Sequence, residues 1–353
     1  MKAACVFDIG GSNFRCAVYR DSGLVRDSIG RSKTPNYLRY GFDAAGIWER
    51  LIAAIVREYE ARVRRFGSLP VLAVAFPGPV SAAGEVAQSC VIFGETLASP
   101  CDLRGELAAR FGSRRRAPER ILITNDMTAS AWRYSRSGHD PYCLITVSSG
   151  IGNKIFANGR VLIGPDGFAG EIGHYEADLG GMEIPCSCGT GSNHLGAISS
   201  GRGVEAIARA FGGPGGRFEA LFRDRRRDPG LGRDAGRLTS EVIAAAADRG
   251  DAFCRAVIDF CTGPLAGAVS LLALALYLKR VILIGGFALN CGYYRASLVR
   301  NTIRRGIYNA TPDRIRRLIV RGENDDDHAL IGAGIMAAAE GAGVADGLRP
   351  RRS

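Results

Sequence analysis

The chain has 353 residues, 46% of them hydrophobic and 23% charged, with a formal net charge of +11. That length holds two α/β domains or one large one, each able to bury a core, and the composition excludes a disordered or fibrous chain. No uninterrupted apolar run reaches ~18 residues, so no spanning helix is expected. No signal-peptide layout precedes Cys5-Val6-Phe7-Asp8, which makes a cytoplasmic protein the expectation. The positive charge could suggest nucleic acid. Much of it, however, is arginine gathered at residues 114–116, 223–227 and 349–352, without zinc-finger spacing or a basic helix. Solvated loops and a tail are expected there, and no nucleic-acid or membrane partner. Ten cysteines without an export signal argue against a disulfide framework. Eight of them stand singly among apolar neighbours and read as small buried residues.

In chain order, residues 3–19 alternate short β-like runs around Gly10-Gly11, a hairpin signal. Apolar residues Ile47, Leu51, Ile52, Ile55, Val56 and Tyr59 give helical periodicity over 44–65. A strand follows at 71–76, ending in Pro77-Gly78-Pro79. A helix near 103–111 then precedes a buried strand at 120–124, which delivers Asn125-Asp126. The pattern restarts with a strand at 142–147, a glycine turn at 148–152 and a returning strand at 154–161. Helices are expected at 240–247 and 253–278, then a strand at 280–284 closed by Gly285-Gly286. Two strand–glycine turn–strand openings suggest two related α/β halves. The stretch 212–237, rich in Gly, Pro, Arg and Asp, reads as an exposed insertion, and the tail beyond 341 as disordered.

Asp8-Ile9-Gly10-Gly11-Ser12-Asn13 sits at the first turn. Glycines there let backbone N–H groups approach a phosphate, with Ser12 and Asn13 adding donors. Asp8 could hold magnesium through water. Ser148-Ser149-Gly150-Ile151-Gly152 is a second such turn and Gly285-Gly286 a third glycine pair after a buried strand. Three such turns can converge on one nucleotide. Asn125 and Asp126 are good helix N-caps; alternatively Asp126 is a general base that takes a proton from a substrate hydroxyl. The densest signal is Gly170-Glu171-Ile172-Gly173-His174 followed by Cys186-Ser187-Cys188-Gly189 and His194. Two of the four histidines lie in this window beside the one close cysteine pair, a set that suits tetrahedral Zn²⁺.

Together with Phe76-Pro77-Gly78-Pro79-Val80 and Ala329-Leu330-Ile331-Gly332-Ala333, these motifs resemble the ROK family of repressors and sugar kinases, in the family's order from about residue 3 to 340. The resemblance implies two RNase-H-like lobes of the actin/hexokinase-like ATPase fold with an interdomain cleft. The expected division is a small lobe over 1–124 and a large lobe with a zinc loop over 125–340. It implies ATP and Mg²⁺ at Asp8, Gly10, Gly11, Ser12, Asn13, Ser149, Gly150, Gly152, Gly285 and Gly286, and Asp126 as the catalytic base. It further implies substrate contacts from Asn125, Glu171, His174 and Gly78, a structural zinc on His174, Cys186, Cys188 and His194, and a homodimer. The family's repressors carry a helix-turn-helix of several dozen residues before the first glycine turn; that turn begins here at residue 8, so a kinase is the expectation. A non-catalytic sugar-binding or regulatory member of the family is the competing class.

The departures are informative. The family's run Cys-x-Cys-Gly-x-x-Gly-Cys-Leu-Glu reads here Cys188-Gly189-Thr190-Gly191-Ser192-Asn193-His194-Leu195-Gly196 after Cys186. With one inserted residue, His194 replaces the third cysteine; without it, Asn193 stands at that position and is the other candidate to complete the metal site. The family's sugar-binding Glu falls on Gly196, or on Leu195 without the insertion, and neither can accept a hydrogen bond from hydroxyls around C1 and C2 of a hexose. The loop 89–95 also lacks the family's Pro-Asn pair. An unreplaced buried acceptor costs about 1–3 kcal/mol. The expected substrate is therefore a C7-cyclitol, a carbocyclic pseudo-sugar phosphorylated on its exocyclic primary hydroxyl, with glucose or an amino-sugar as the alternative.

Overall fold

The computed structural model describes residues 3–95, 97–112, 114, 116–224 and 238–341. The chain divides into two compact units: 1–138 with 159–169 and 325–353, and 139–158 with 170–324. The first unit therefore keeps 125–138 and regains the C-terminal helix, which differs from the division expected at 124/125. The reason is packing: Arg120–Asn125 runs directly into the helix Asp126–Trp132, and His328–Gly341 lies against that helix. The basic cluster at 349–352, residues 225–237 of the expected insertion and the tail beyond 341 lie outside the described residues.

In the first unit, Ala4–Ile9 pairs antiparallel with Asn13–Arg20 and parallel with Val71–Phe76, which pairs parallel with Arg120–Asn125. Alternation along Ala4–Ile9 sends Cys5, Phe7 and Ile9 into one core with Ile47, Leu51 and Ile55 of the helix Ala44–Phe66. Ala4 and Val6 point the other way, into a core with Ala73, Ala75, Leu330 and Ala333. That second face is built from small residues because the C-terminal helix approaches closely. A Cβ on Gly332 would sit 1.7 Å from the Ala129 carbonyl oxygen, and one on Gly334 would sit 2.2 Å from the Tyr19 ring.

The second unit repeats the plan. Tyr142–Val147 pairs antiparallel with Ile151–Ala157 and parallel with Arg280–Ile284, which pairs parallel with Ile319–Arg321. In both units the glycine turn joins the antiparallel pair, and the parallel strands carry their carboxyl ends to the same edge. Ligands of open α/β sheets bind at that edge.

The expected strand 154–161 ends at Ala157, where Asn158 and Gly159 take positive φ of 54° and 75°. Part of the expected insertion is ordered instead as the helix Glu219–Arg223, because Phe218 and Phe222 pack against the core. The apolar stretch near 265–278 belongs to the helix Ala252–Leu276. This helix is long and apolar enough to cross a membrane by length and composition, and half of its most apolar window is buried. Nine of its eleven buried residues, including Phe253, Val257, Leu265 and Val269, belong to the second unit's core. Six of the eight scattered cysteines are buried as expected; Cys90 is exposed and Cys101 half-buried, at the surface of the segments that follow Ser89 and Pro100.

Candidate active site

The first unit gathers Asp8, the Gly10–Asn13 turn, Gly78, Asn125 and Asp126 along the carboxyl edge of three adjacent parallel strands. Asp8 is buried and paired with the Arg15 guanidinium. Burial pushes its carboxyl up, against the opposing pull of Arg15. Arg15 also lies 3.6 Å from Asp327, a partner that no motif in the sequence announced.

Gly78 has φ +129°, and a Cβ there would lie 2.1 Å from the Gln88 carbonyl oxygen, so only glycine fits. Its own carbonyl accepts from Asn125 Nδ2 at 2.9 Å. Asn125 Oδ1 accepts from the N–H groups of Met127 (2.9 Å) and Thr128 (3.1 Å), which makes Asn125 the N-cap of Asp126–Trp132. Asp126 Oδ1 accepts from Asn125 Nδ2 at 2.9 Å and from Met127 N–H at 2.8 Å. Capping thus fixes the Asp126 carboxyl at the start of a helix, where the macrodipole favours its charge. In this structure Asn125 spends its side chain on the cap and on Gly78, and it orients Asp126.

In the second unit, Ser148–Gly152 and Gly285 share one edge. A Cβ on Gly285 (φ +92°) would lie 2.6 Å from the Thr146 hydroxyl and the Val147 carbonyl oxygen. Gly286, with nothing within 4 Å of its Cβ position, opens the helix Gly286–Asn290.

The segment Gly170–His174 is stitched to the strand Ile151–Ala157. Asn153 N–H donates to Gly170 O at 3.2 Å, and Asn153 Oδ1 accepts from Ile172 N–H at 3.1 Å. Gly170 and Gly173 have no room for a Cβ, each 2.1 Å from a strand carbonyl oxygen. The 3₁₀ turn Ile172–His174 then leaves Glu171 and His174 exposed.

One ligand atom from each of His174, Cys186, Cys188 and His194 lies within 4.8 Å of the other three. Two thiols and two imidazoles this close fit a tetrahedral zinc site. Cys188 Sγ is 3.1 Å from the Thr190 hydroxyl and 3.4 Å from His194 Nδ1. Hydrogen bonding from Thr190 holds the Cys188 thiol down to about 5, whereas burial pushes Cys186 up. Asn193, the other candidate for the fourth position, instead clamps the loop. Its Oδ1 accepts from Ile184 N–H at 2.8 Å and its Nδ2 donates to Met182 O at 2.7 Å. Leu195 is fully buried, and a Cβ on Gly196 would face Gly173 O at 3.1 Å, so position 196 is the one turned toward the Gly170–His174 segment.

A hairpin followed by two parallel strands, repeated in two units with glycine turns at the hairpin tips, defines the actin/hexokinase-like ATPase fold. The chain belongs to the ROK family, whose pattern it matches over residues 4–340. It is 38% identical over 339 residues, covering 95% of this chain and 93% of the other, to a C(7)-cyclitol 7-kinase of Streptomyces hygroscopicus subsp. jinggangensis. A Streptomyces griseus ROK glucokinase solved with glucose and AMPPNP superposes at TM-score 0.67, with 21% identity, over 95% of this chain and 99% of that one. A ROK transcriptional regulator, a homologue of the E. coli MLC protein, superposes at 0.74 with 19% identity, over 97% of this chain and 79% of that one.

Proposed function

We propose that this chain transfers the γ-phosphate of ATP to the exocyclic primary hydroxyl of a C7-cyclitol. The observation that carries the reading is the 38% identity, along nearly the whole chain, to a C(7)-cyclitol 7-kinase. Glycine at 196, where the family's resemblance places a sugar-binding Glu, supports it independently: the position offers no acceptor to the C1–C2 edge of a hexose.

Asp126 accepts the proton of the attacking hydroxyl, whose oxygen forms the new bond to phosphorus while the bond to the departing ADP oxygen breaks. Asn125 and the Met127 N–H hold the carboxylate in place for that step. The N–H groups of Gly11 and Ser12 and of the Ser149–Gly152 turn meet the phosphates, and Gly285-Gly286 lies beside the nucleoside. The Asp8 carboxylate is a hard oxygen donor suited to Mg²⁺, which when bound neutralises phosphate charge. Glu171 and His174 orient the ring, with Gly78 shaping the wall behind Asn125. A zinc ion held by His174, Cys186, Cys188 and His194 would lock the His174 ring, and with it whatever that ring touches.

A coupled ADP-release assay across C7-cyclitols, glucose and amino-sugars tests the reading. The expected kcat/KM for a C7-cyclitol exceeds that for glucose by roughly 10-fold or more. Outright preference for glucose would remove the cyclitol while leaving a kinase; no ADP release with any acceptor would favour a non-catalytic binding protein.

A further inference from the structure

The carbonyls of both glycine turns are held from behind. In the first turn, Thr34 Oγ1 donates to Gly10 O at 2.7 Å, Asn36 Nδ2 donates to Gly11 O at 2.5 Å, and Thr34 N–H donates to Ser12 O at 3.2 Å. Thr34 and Asn36 are 0% and 4% exposed. Two polar side chains buried this deeply need fixed partners, and the turn's carbonyls supply them. In the second turn, Gly201 N–H donates to Ser148 O at 2.7 Å. Ser149 O accepts from Arg202 Nε at 2.6 Å, while the single Ser200 hydroxyl proton goes to Gly196 O at 2.6 Å rather than to Ser149 O at 3.1 Å.

A trans peptide is planar, with each N–H antiparallel to the carbonyl before it. Holding the Gly10 and Gly11 carbonyls therefore turns the N–H groups of Gly11 and Ser12 away from residues 34–36. Holding the Ser148 and Ser149 carbonyls likewise turns the N–H groups of Ser149 and Gly150 away from residues 200–202. Glycine tolerates either sign of φ, so an unclamped glycine peptide flips readily, and the flipped form offers an anion a carbonyl oxygen instead of a donor.

We propose that Thr34, Asn36 and Arg202 are positioning residues that fix the polarity of the two turns, so that backbone N–H groups face the phosphates. The proposal rests on the reading that these turns hold the phosphates of ATP. Asn36 also caps the short helix that follows it. Thr34 has no such second duty and Arg202 is exposed, so these two give the cleanest variants.

Calorimetric titration with ADP and with adenosine, alongside thermal melts, tests the clamps. Wild type is expected to bind ADP more tightly than adenosine. Thr34→Val should lose about 10-fold in ADP affinity, the scale of one hydrogen bond to a charged group, with adenosine affinity unchanged, and Thr34→Ser should recover it. Arg202→Met and Arg202→Lys should both lose ADP affinity, because lysine keeps the charge without a donor at the Nε position. An undiminished ADP preference in Thr34→Val overturns the first clamp, and recovery in Arg202→Lys overturns the second in favour of simple charge attraction. If Thr34→Val does not fold, the Arg202 pair decides. A wild-type protein without ADP preference would defeat the phosphate reading itself, an outcome distinct from either clamp result.

Discussion

Replacing Gly332 by alanine asks how tightly the helix carrying Asp126 is held. The added Cβ would lie 1.7 Å from Ala129 O, 2.6 Å from the Ala129 carbonyl carbon and 3.1 Å from Arg133 N, all backbone atoms that no rotamer change can move. Ordinary contact begins near 3.4 Å, so the two helices must part by well over an ångström. Overpacking of this kind costs about 1–3 kcal/mol. For units of this size that lowers Tm by about 2–4 °C per kcal/mol. The moving helix begins at Asp126, and a displacement of ~1 Å at a reacting group costs on the order of 100-fold in rate. Gly332→Ala should therefore lower Tm and depress kcat more than it raises KM. Gly263→Ala is the control, since its Cβ would meet nothing within 4 Å inside the helix Ala252–Leu276. It should leave kcat intact with little net change in Tm, because the helix propensity gained is opposed by Pro264, whose ring disfavours a Cβ on the preceding helical residue. Differential scanning calorimetry and steady-state kinetics read both variants. A Gly332→Ala protein with wild-type Tm and kcat would refute the close-packing argument.

Asp126→Asn should cut kcat by about 10²–10⁴ while ATP still binds; retention of more than about a tenth of kcat, with chemistry rate-limiting, would remove the base assignment. Purified protein should carry one zinc per chain, bound at about 2.0–2.3 Å, and His194→Ala should lose it; plasma emission spectrometry finding no zinc in active protein would end that proposal. His328 is buried, with Nδ1 3.3 Å from the Arg133 guanidinium and 3.2 Å from the Tyr134 hydroxyl, and Asp325 paired to the same arginine. Burial first, then Arg133, depresses its pKa from 6.5 to about 4. A depressed folded pKa means stability present above about pH 6.5 and lost as pH falls toward 4, worth up to ~3 kcal/mol. His328→Gln should flatten that window in urea melts, and an unchanged pH profile would show that other groups govern it.

The strands and long helices were legible because their periodicity is local. Val71–Phe76 and Tyr142–Val147 read directly from apolar runs, and the metal-competent set from residue chemistry alone. Glycine turns were legible as turns, but their polarity was not, since it depends on Thr34 and Asn36 reaching back more than twenty positions. The tripeptide Thr34-Pro35-Asn36 before a short helix was the available signal. Arg15 escaped notice because strand alternation places it on the Asp8 edge only once the hairpin register is known. The division between units differs from the expected one for a related reason: His328–Gly341 comes close to the helix Asp126–Trp132 at Gly332 and to the first sheet at Gly334, residues whose value lies in having no side chain. Choosing between His194 and Asn193 needed the loop's own hydrogen bonds, which commit Asn193 to Ile184 and Met182.

Proton-coupled ³¹P NMR of the product distinguishes phosphoryl transfer to the exocyclic primary hydroxyl of a C7-cyclitol from transfer to any other acceptor position. With equal C7-cyclitol and glucose in one tube, zinc-loaded enzyme and ATP should yield chiefly cyclitol phosphate. Its phosphorus should appear as a triplet, coupled to the two protons of a CH₂–O group. A doublet would place the phosphate on a ring hydroxyl, and a product dominated by glucose phosphate would contradict the substrate assignment.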